Sequence, residues 1–137
     1  MRVVPRDVIA SASERVASFR AAQRLHQPQE FSAVMAARRV VRGEFFALHY
    51  RLASTGGVSR LGLIVPKRLA RAASLRNAIK RQGREAFRLL KVEISPCDLV
   101  MRLTRQIKGV NARDSSQRKI WRSELENLLK LLPMLSP

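Results

Sequence analysis

Two histidines, His26 and His49, and one cysteine, Cys97, are the side chains of this 137-residue sequence best suited to acid–base or nucleophilic work, and each stands apart from the others. A protein that hydrolyses phosphodiesters by itself uses clustered carboxylates to hold Mg²⁺, or paired histidines to move protons. The acidic residues are scattered instead. Glu124 and Glu126 are the closest pair, and at i,i+2 on a helix they do not share a face. The expectation is a chain with no catalytic centre and no metal site of its own. Cys97, near a strand start, reads as a small buried hydrophobe rather than a nucleophile.

The chemistry on offer is cationic. Between Arg60 and Lys91 stand Arg60, Lys67, Arg68, Arg71, Arg76, Lys80, Arg81, Arg84, Arg88 and Lys91, opposed only by Glu85. A solvated helix face mixes both signs through i,i+4 pairs. A face of one sign, rich in planar guanidinium groups that grip phosphate bidentately, points to a nucleic-acid backbone. The whole chain repeats the imbalance: 27 Lys and Arg against 10 Asp and Glu, a formal charge of +17. Such a domain repels itself until a polyanion neutralises it, so nucleic acid is the expected partner and an anionic membrane surface the second choice.

Elements must hold these residues in place. At 46% apolar residues the chain can build one compact domain. Residues 1–21 read as an extension, with a short helix conceivable over Ser11–Ala22, and residues 22–137 as the domain. Pro28 suits the first turn of a helix carrying Phe31, Val34 and Met35 on one face and ending near Val41, with Gly43 as its stop. Glu44–Arg51 and Arg60–Val65 read as strands, joined at Ser54–Gly57 in an antiparallel hairpin. A long helix is expected over Leu69–Val92, with Ala72, Leu75, Ile79, Gly83, Ala86 and Leu90 on its apolar side. Gly83 on that stripe would let the helix approach a sheet closely. On the opposite side Lys80, Arg81, Arg84 and Arg88 point outward, while Arg76 lies nearer the boundary. Asp98–Thr104 is a further strand. Ser115 or Ser116 caps a last helix with Trp121, Leu125, Leu128, Leu129 and Leu132 as its stripe, ended by Pro133. Two strands joined across a helix imply a parallel pair in a mixed sheet, within a two-layer α/β (α+β) sandwich. A lone cysteine permits no intrachain disulfide, no run reaches the length of a membrane span, and Met1–Ala10 lacks the apolar stretch of a secretory signal. These point to the cytoplasm.

The run RLGLIVPKRLARAASLRNAIKRQGREAFR resembles the signature region of the bacterial ribonuclease P protein family. There a strand ends in a basic pair, matched by Lys67 and Arg68, and a helix follows with an Arg-Asn-Arg core, matched by Arg76 and Asn77. The later basic positions match Lys80, Arg81 and Arg84. Arg24–Val34 resembles the family's first helix and its lead-in, and Phe45–Leu48 its next strand. Departures exist: Ala78 stands where the motif normally has its second Arg, Met35 where many members carry an aromatic, Gly83 where a larger residue is usual, and Pro66 where a small residue is common.

The resemblance implies a mainly antiparallel mixed sheet with a left-handed βαβ crossover. It also implies the protein subunit of an endoribonuclease that removes the 5′ leader of precursor tRNA. In that picture the catalytic RNA subunit performs the hydrolysis with Mg²⁺ held by RNA and substrate, about one protein serves each RNA, and no membrane is involved. Arg60, Lys67, Arg68, Arg71, Arg76, Asn77, Lys80, Arg81, Arg84 and Arg88 are then the expected RNA-binding residues. Phe31, Met35 and His49 are expected to line a cleft for the leader, where bases stack on aromatics. Core packing for Phe31 and a plain surface-strand role for His49 stand as alternatives. Phe45 and Phe46 point to opposite faces, one to the core, and the sequence leaves open which. A structural RNA-binding protein of the ribosome would share the charge and size, though not the helix motif.

Overall fold

The computed structural model describes residues 24–52, 59–90 and 97–135. The expected extension over 1–21, the turn at Ser54–Gly57 and the break at Ser95–Pro96 lie outside them. The elements run α1 (Pro28–Ala36), β1 (Val40–Arg42), β2 (Phe46–Leu52), β3 (Arg60–Ile64), α2 (Ala73–Leu90), β4 (Cys97–Leu103) and α3 (Ser115–Leu135).

The four strands form one mixed sheet in the order β1-β2-β4-β3, antiparallel at β1/β2 and β2/β4 and parallel at β3/β4. The mixed sheet and the parallel pair across α2 are as expected. The hairpin is not: β2 and β3 do not pair, because β4 inserts between them and takes a strand partner on each side. The actual hairpin is β1–β2, closed where Gly43 N–H donates to the Phe46 carbonyl at 2.7 Å. Its first strand occupies Val40–Arg42, where the helix was expected to continue. The helix stops at Ala36 because Arg38 turns left-handed at φ 58°, sending the chain back along the sheet.

Alternation along the strands divides the sheet into two faces. Phe46, Leu48, Tyr50, Leu61, Leu99, Met101 and Leu103 face α2 and α3. They form the main core with Leu75, Ile79, Phe87, Trp121, Leu125 and Leu129. This settles the aromatic pair, since Phe46 is core while Phe45 sits half-buried at the rim. Gly83 fulfils its expected part. A Cβ there would lie 2.8 Å from Leu63 Cδ2, so its absence lets α2 press onto the sheet. Cys97 is buried, and burial pushes its thiol up to about 11, as befits an inert core residue.

Three helix boundaries differ in detail from the sequence reading. The residues after Pro66 make a turn, with Leu69 and Ala70 N–H donating to the Pro66 carbonyl, before α2 begins at Ala73. Asp114 rather than either serine caps α3, its Oδ1 accepting the N–H of Ser116 at 3.0 Å and of Gln117 at 3.2 Å. Helix α3 also runs past Pro133 to Leu135, the missing N–H forfeiting a bond only in the final turns. The other sheet face carries the short helix α1, whose Val34, Phe31 and Met35 pack with Leu25, Val100 and Ile64.

Candidate nucleic-acid interface

Two surfaces meet at the β3 edge of the sheet. The first is the exposed side of α2 together with the turn that feeds it. Lys67, Arg68 and Arg71 are exposed on that turn. Arg76 folds back and donates Nη1 to the carbonyls of Ala70 (3.0 Å) and Arg71 (2.6 Å), fastening the turn to the helix. Its place near the apolar boundary suggested a brace of the helix against the sheet; the partners are instead the carbonyls of the feeding turn. Asn77 and Arg81 are exposed, and Lys80 and Arg84 half-buried. Arg88 does not point freely outward as expected: half-buried, it donates Nη2 to Glu85 Oε1 at 2.8 Å. That pair occupies the one carboxylate of the face and holds Glu85 below the usual carboxylate range. Burial, and then the neighbouring Arg24 and Arg81, lower the pKa of Arg84. Like charges are thus crowded here with little internal compensation.

The second surface is the sheet face under and beside α1. The register sets Arg51, Asp98 and Arg60 in one row, Val40, His49, Val100 and Gly62 in the next, and Arg42, Ala47, Arg102 and Ile64 in a third. Phe31 packs over the middle row because Gly62 has no side chain; a Cβ there would fall 2.6 Å from Phe31 Cζ and closer still to Cε2. Met35 joins the same cluster, half-buried. His49 is buried rather than an exposed strand residue, and its Nε2 accepts from Arg102 Nε at 3.3 Å. Burial, then the charges of Arg102 and Arg42, hold His49 below its ordinary pKa, so it is neutral at pH 7 and serves as an acceptor that aims Arg102.

Arg60 belongs with neither surface in the way the sequence suggested. Its Nε and Nη2 donate to Asp98 Oδ1 and Oδ2, each at 3.0 Å, and its Nη1 donates to Glu30 Oε2 at 2.6 Å. A bidentate pair with a buried carboxylate leaves this guanidinium committed within the protein. Glu30 in turn accepts the N–H of His26 (2.7 Å) and Gln27 (2.8 Å), capping α1. Those backbone bonds and then Arg60 pull its pKa down to about 2. The network is a clasp that ties the start of α1 to β3 and β4.

A groove of about 200 Å³ along β3 joins the two surfaces, with Leu25, Phe31 and Gly62 at one side and Lys80 and Arg84 at the other. Arg24 also lines it; the chain is held there by Leu25 N–H donating to the Leu61 carbonyl at 3.1 Å. Arg24, Arg42, Arg102 and Arg118 were not singled out from the sequence. The sheet register brings Arg42 and Arg102 into one row, and the bridge of Arg24 to Leu61 sets it beside Arg84, so neither grouping shows in the sequence. Among the described residues no three His, Cys, Asp or Glu side chains come together to hold a metal ion. None of the described helices is long and apolar enough to cross a membrane.

Residues 19–132 match the family model described as Ribonuclease P. The chain belongs to the ribonuclease P protein family. The ribonuclease P protein component of Azoarcus sp. (strain BH72) is 46% identical over 94 residues, covering 69% of this chain and 75% of that protein. That of Bordetella petrii is 41% identical over 107 residues, covering 75% and 85%. The fold agrees as well. The ribonuclease P protein structure from Staphylococcus aureus superposes with a TM-score of 0.68 at 26% identity, over 80% of this chain and 94% of that one. The one from Thermotoga maritima gives 0.62 at 28% identity, over 78% and 94%. As a ribonuclease P protein, the chain is a protein component of that ribonuclease, with the α2 face and the α1 cleft as its two candidate surfaces.

Proposed function

We propose that this ribonuclease P protein docks the cationic face of α2, with its feeding turn, on a catalytic RNA subunit, and presents the face around Phe31, Met35 and His49 to the 5′ leader of precursor tRNA. The chain's own residues bind and orient. Lys67, Arg68, Arg71, Lys80, Arg81 and Arg84 neutralise backbone phosphates, and Asn77 adds a neutral donor and acceptor among them. Phe31, held against Gly62, offers a stacking surface to leader bases, with Arg102 aimed beside it by His49. The hydrolysis belongs to the RNA, with Mg²⁺ held by RNA and substrate. One protein per RNA and a cytoplasmic location complete the reading.

The observation that carries it is the sign of the α2 face: its one carboxylate, Glu85, is taken up by Arg88, so phosphate is the partner left for the remaining cations. The test is the double variant Arg81→Ala with Arg84→Ala. Alanine is the strongest helix former, so folding survives. Affinity for a bacterial ribonuclease P RNA falls, and the slope of log affinity against log salt shrinks by about 0.7–0.9 for each phosphate no longer neutralised. A folded variant with unchanged affinity and slope would show that RNA docks elsewhere.

A further inference from the structure

The α2 face does not end at α2. Ser74, Asn77, Ala78, Arg81 and Glu85 lie three or four residues apart, so they share one stripe of the helix. This stripe forms one wall of an open groove of about 830 Å³, and Arg118 of α3 lines the same groove from the other side. A second groove of about 440 Å³ continues from it, sharing Gln82 and Arg118 and adding Ser115, Lys119, Arg122 and Ser123. The walls between the cations are short or polar side chains, so the seam is open and wet rather than apolar. Gln82 Oε1 accepts from Arg122 Nε at 3.0 Å, and Arg122 also pairs with Glu126, so Arg122 closes the floor and Lys119 and Arg118 are left at the rim. The Arg118 side chain makes one long hydrogen bond, Nη2 to the Arg113 carbonyl at 3.4 Å, and its charge also acts on Asp114 at the start of α3.

Ala78 is the informative position. It stands on the stripe between Ser74 and Arg81, one turn before that arginine, and its methyl group leaves the groove open toward Arg118. We propose that the α2–α3 seam is a second phosphate track for the RNA subunit, in which Arg118 supplies from α3 the positive charge that position 78 of α2 lacks. The occupant is an RNA backbone strand because both walls are cationic and the lining carboxylate, Glu85, is neutralised by Arg88. This rests on the proposed docking of α2 on a catalytic RNA and extends its footprint to a second helix.

The experiment measures binding of the full chain to a bacterial ribonuclease P RNA across a salt series, for the wild type, Arg118→Ala, Arg118→Gln and the swap Arg118→Ala with Ala78→Arg. Far-UV circular dichroism checks folding, and the glutamine variant keeps the test alive if alanine perturbs α3. Both single variants are expected to bind several-fold more weakly, with the salt slope reduced by about 0.7–0.9 for the one phosphate left without its arginine. The swap is expected to restore both, because an arginine at 78 projects into the same groove. Unchanged affinity and slope in the folded single variants would overturn the proposal. So would a weakening that Ala78→Arg fails to reverse, since that marks Arg118 as structural. If the wild-type chain itself did not bind the RNA, the underlying docking reading would be the one at fault.

Discussion

Phe31 and Gly62 fit with little to spare, because the space of one hydrogen at position 62 is what seats the aromatic ring. Gly62→Ala is therefore expected to push Phe31 off the middle row. Overpacking of this kind costs about 1–3 kcal/mol of stability. The functional consequence is selective: the advantage of a precursor tRNA with a leader over a leaderless one should shrink, by about fivefold to a hundredfold if one base stacks on the ring. Binding measured with and without the leader checks this, and an equal drop for both substrates would mean that Phe31 serves only the fold. Phe31 was legible in the sequence as a candidate from its place on the first helix, but Gly62 was not. A glycine inside a strand signals a close approach without saying what approaches. Arg60 shows the opposite failure. Its charge sign marked it for phosphate, while the carboxylates that claim it come from elements distant in the chain: Asp98 meets it through the β3/β4 register, and Glu30 through the seating of α1 on the sheet.

At the scale of elements, α1 is small, sits on an otherwise lightly covered sheet face, and depends on its clasp. Glu30 is the part that titrates. Its folded pKa is lowered to about 2 from an ordinary 4.5, so it stabilises the folded state above the ordinary value and loses that contribution as pH falls toward 2. Glu30→Gln removes the charge but keeps a side chain of the same shape. The stability gap between wild type and Glu30→Gln should be present at pH 7 and close progressively from about pH 4.5 to about pH 2. Denaturant melts at several pH values measure it. A gap that does not change with pH would show that the carboxylate charge contributes nothing to holding α1.

The elements themselves were unevenly readable. Helices α2 and α3 announce themselves through long apolar stripes, and Trp121, Leu125, Leu128, Leu129 and Leu132 are buried as their spacing requires. Strand β1 was missed because its three residues follow a helix closely and extend its apolar pattern. The pairing of β2 with β3 was misjudged because adjacency in sequence favours hairpins. What decides it is that β4, two-faced and almost wholly buried, needs a partner on each edge.

Over the whole molecule, the charge of +17 makes a polyanion the natural counterpart of this fold. On the proposed docking, the protein brings polyanions near one another. Its two surfaces lie on either side of the β3 edge, joined by the groove that Phe31, Lys80 and Arg84 share, so an RNA on α2 and a strand over α1 would be held as neighbours. Neutralising phosphates with protein cations replaces part of what metal ions otherwise do for RNA, and the benefit should be greatest when Mg²⁺ is scarce. The most direct test is reconstitution of the full chain with a bacterial ribonuclease P RNA at low Mg²⁺, following release of the 5′ leader from precursor tRNA. The account predicts slow or no cleavage by the RNA alone, none by RNA-free protein, and efficient production of the mature 5′ end by the two together. Cleavage by highly purified RNA-free protein, or no acceleration when the chain is added to the RNA, would contradict it.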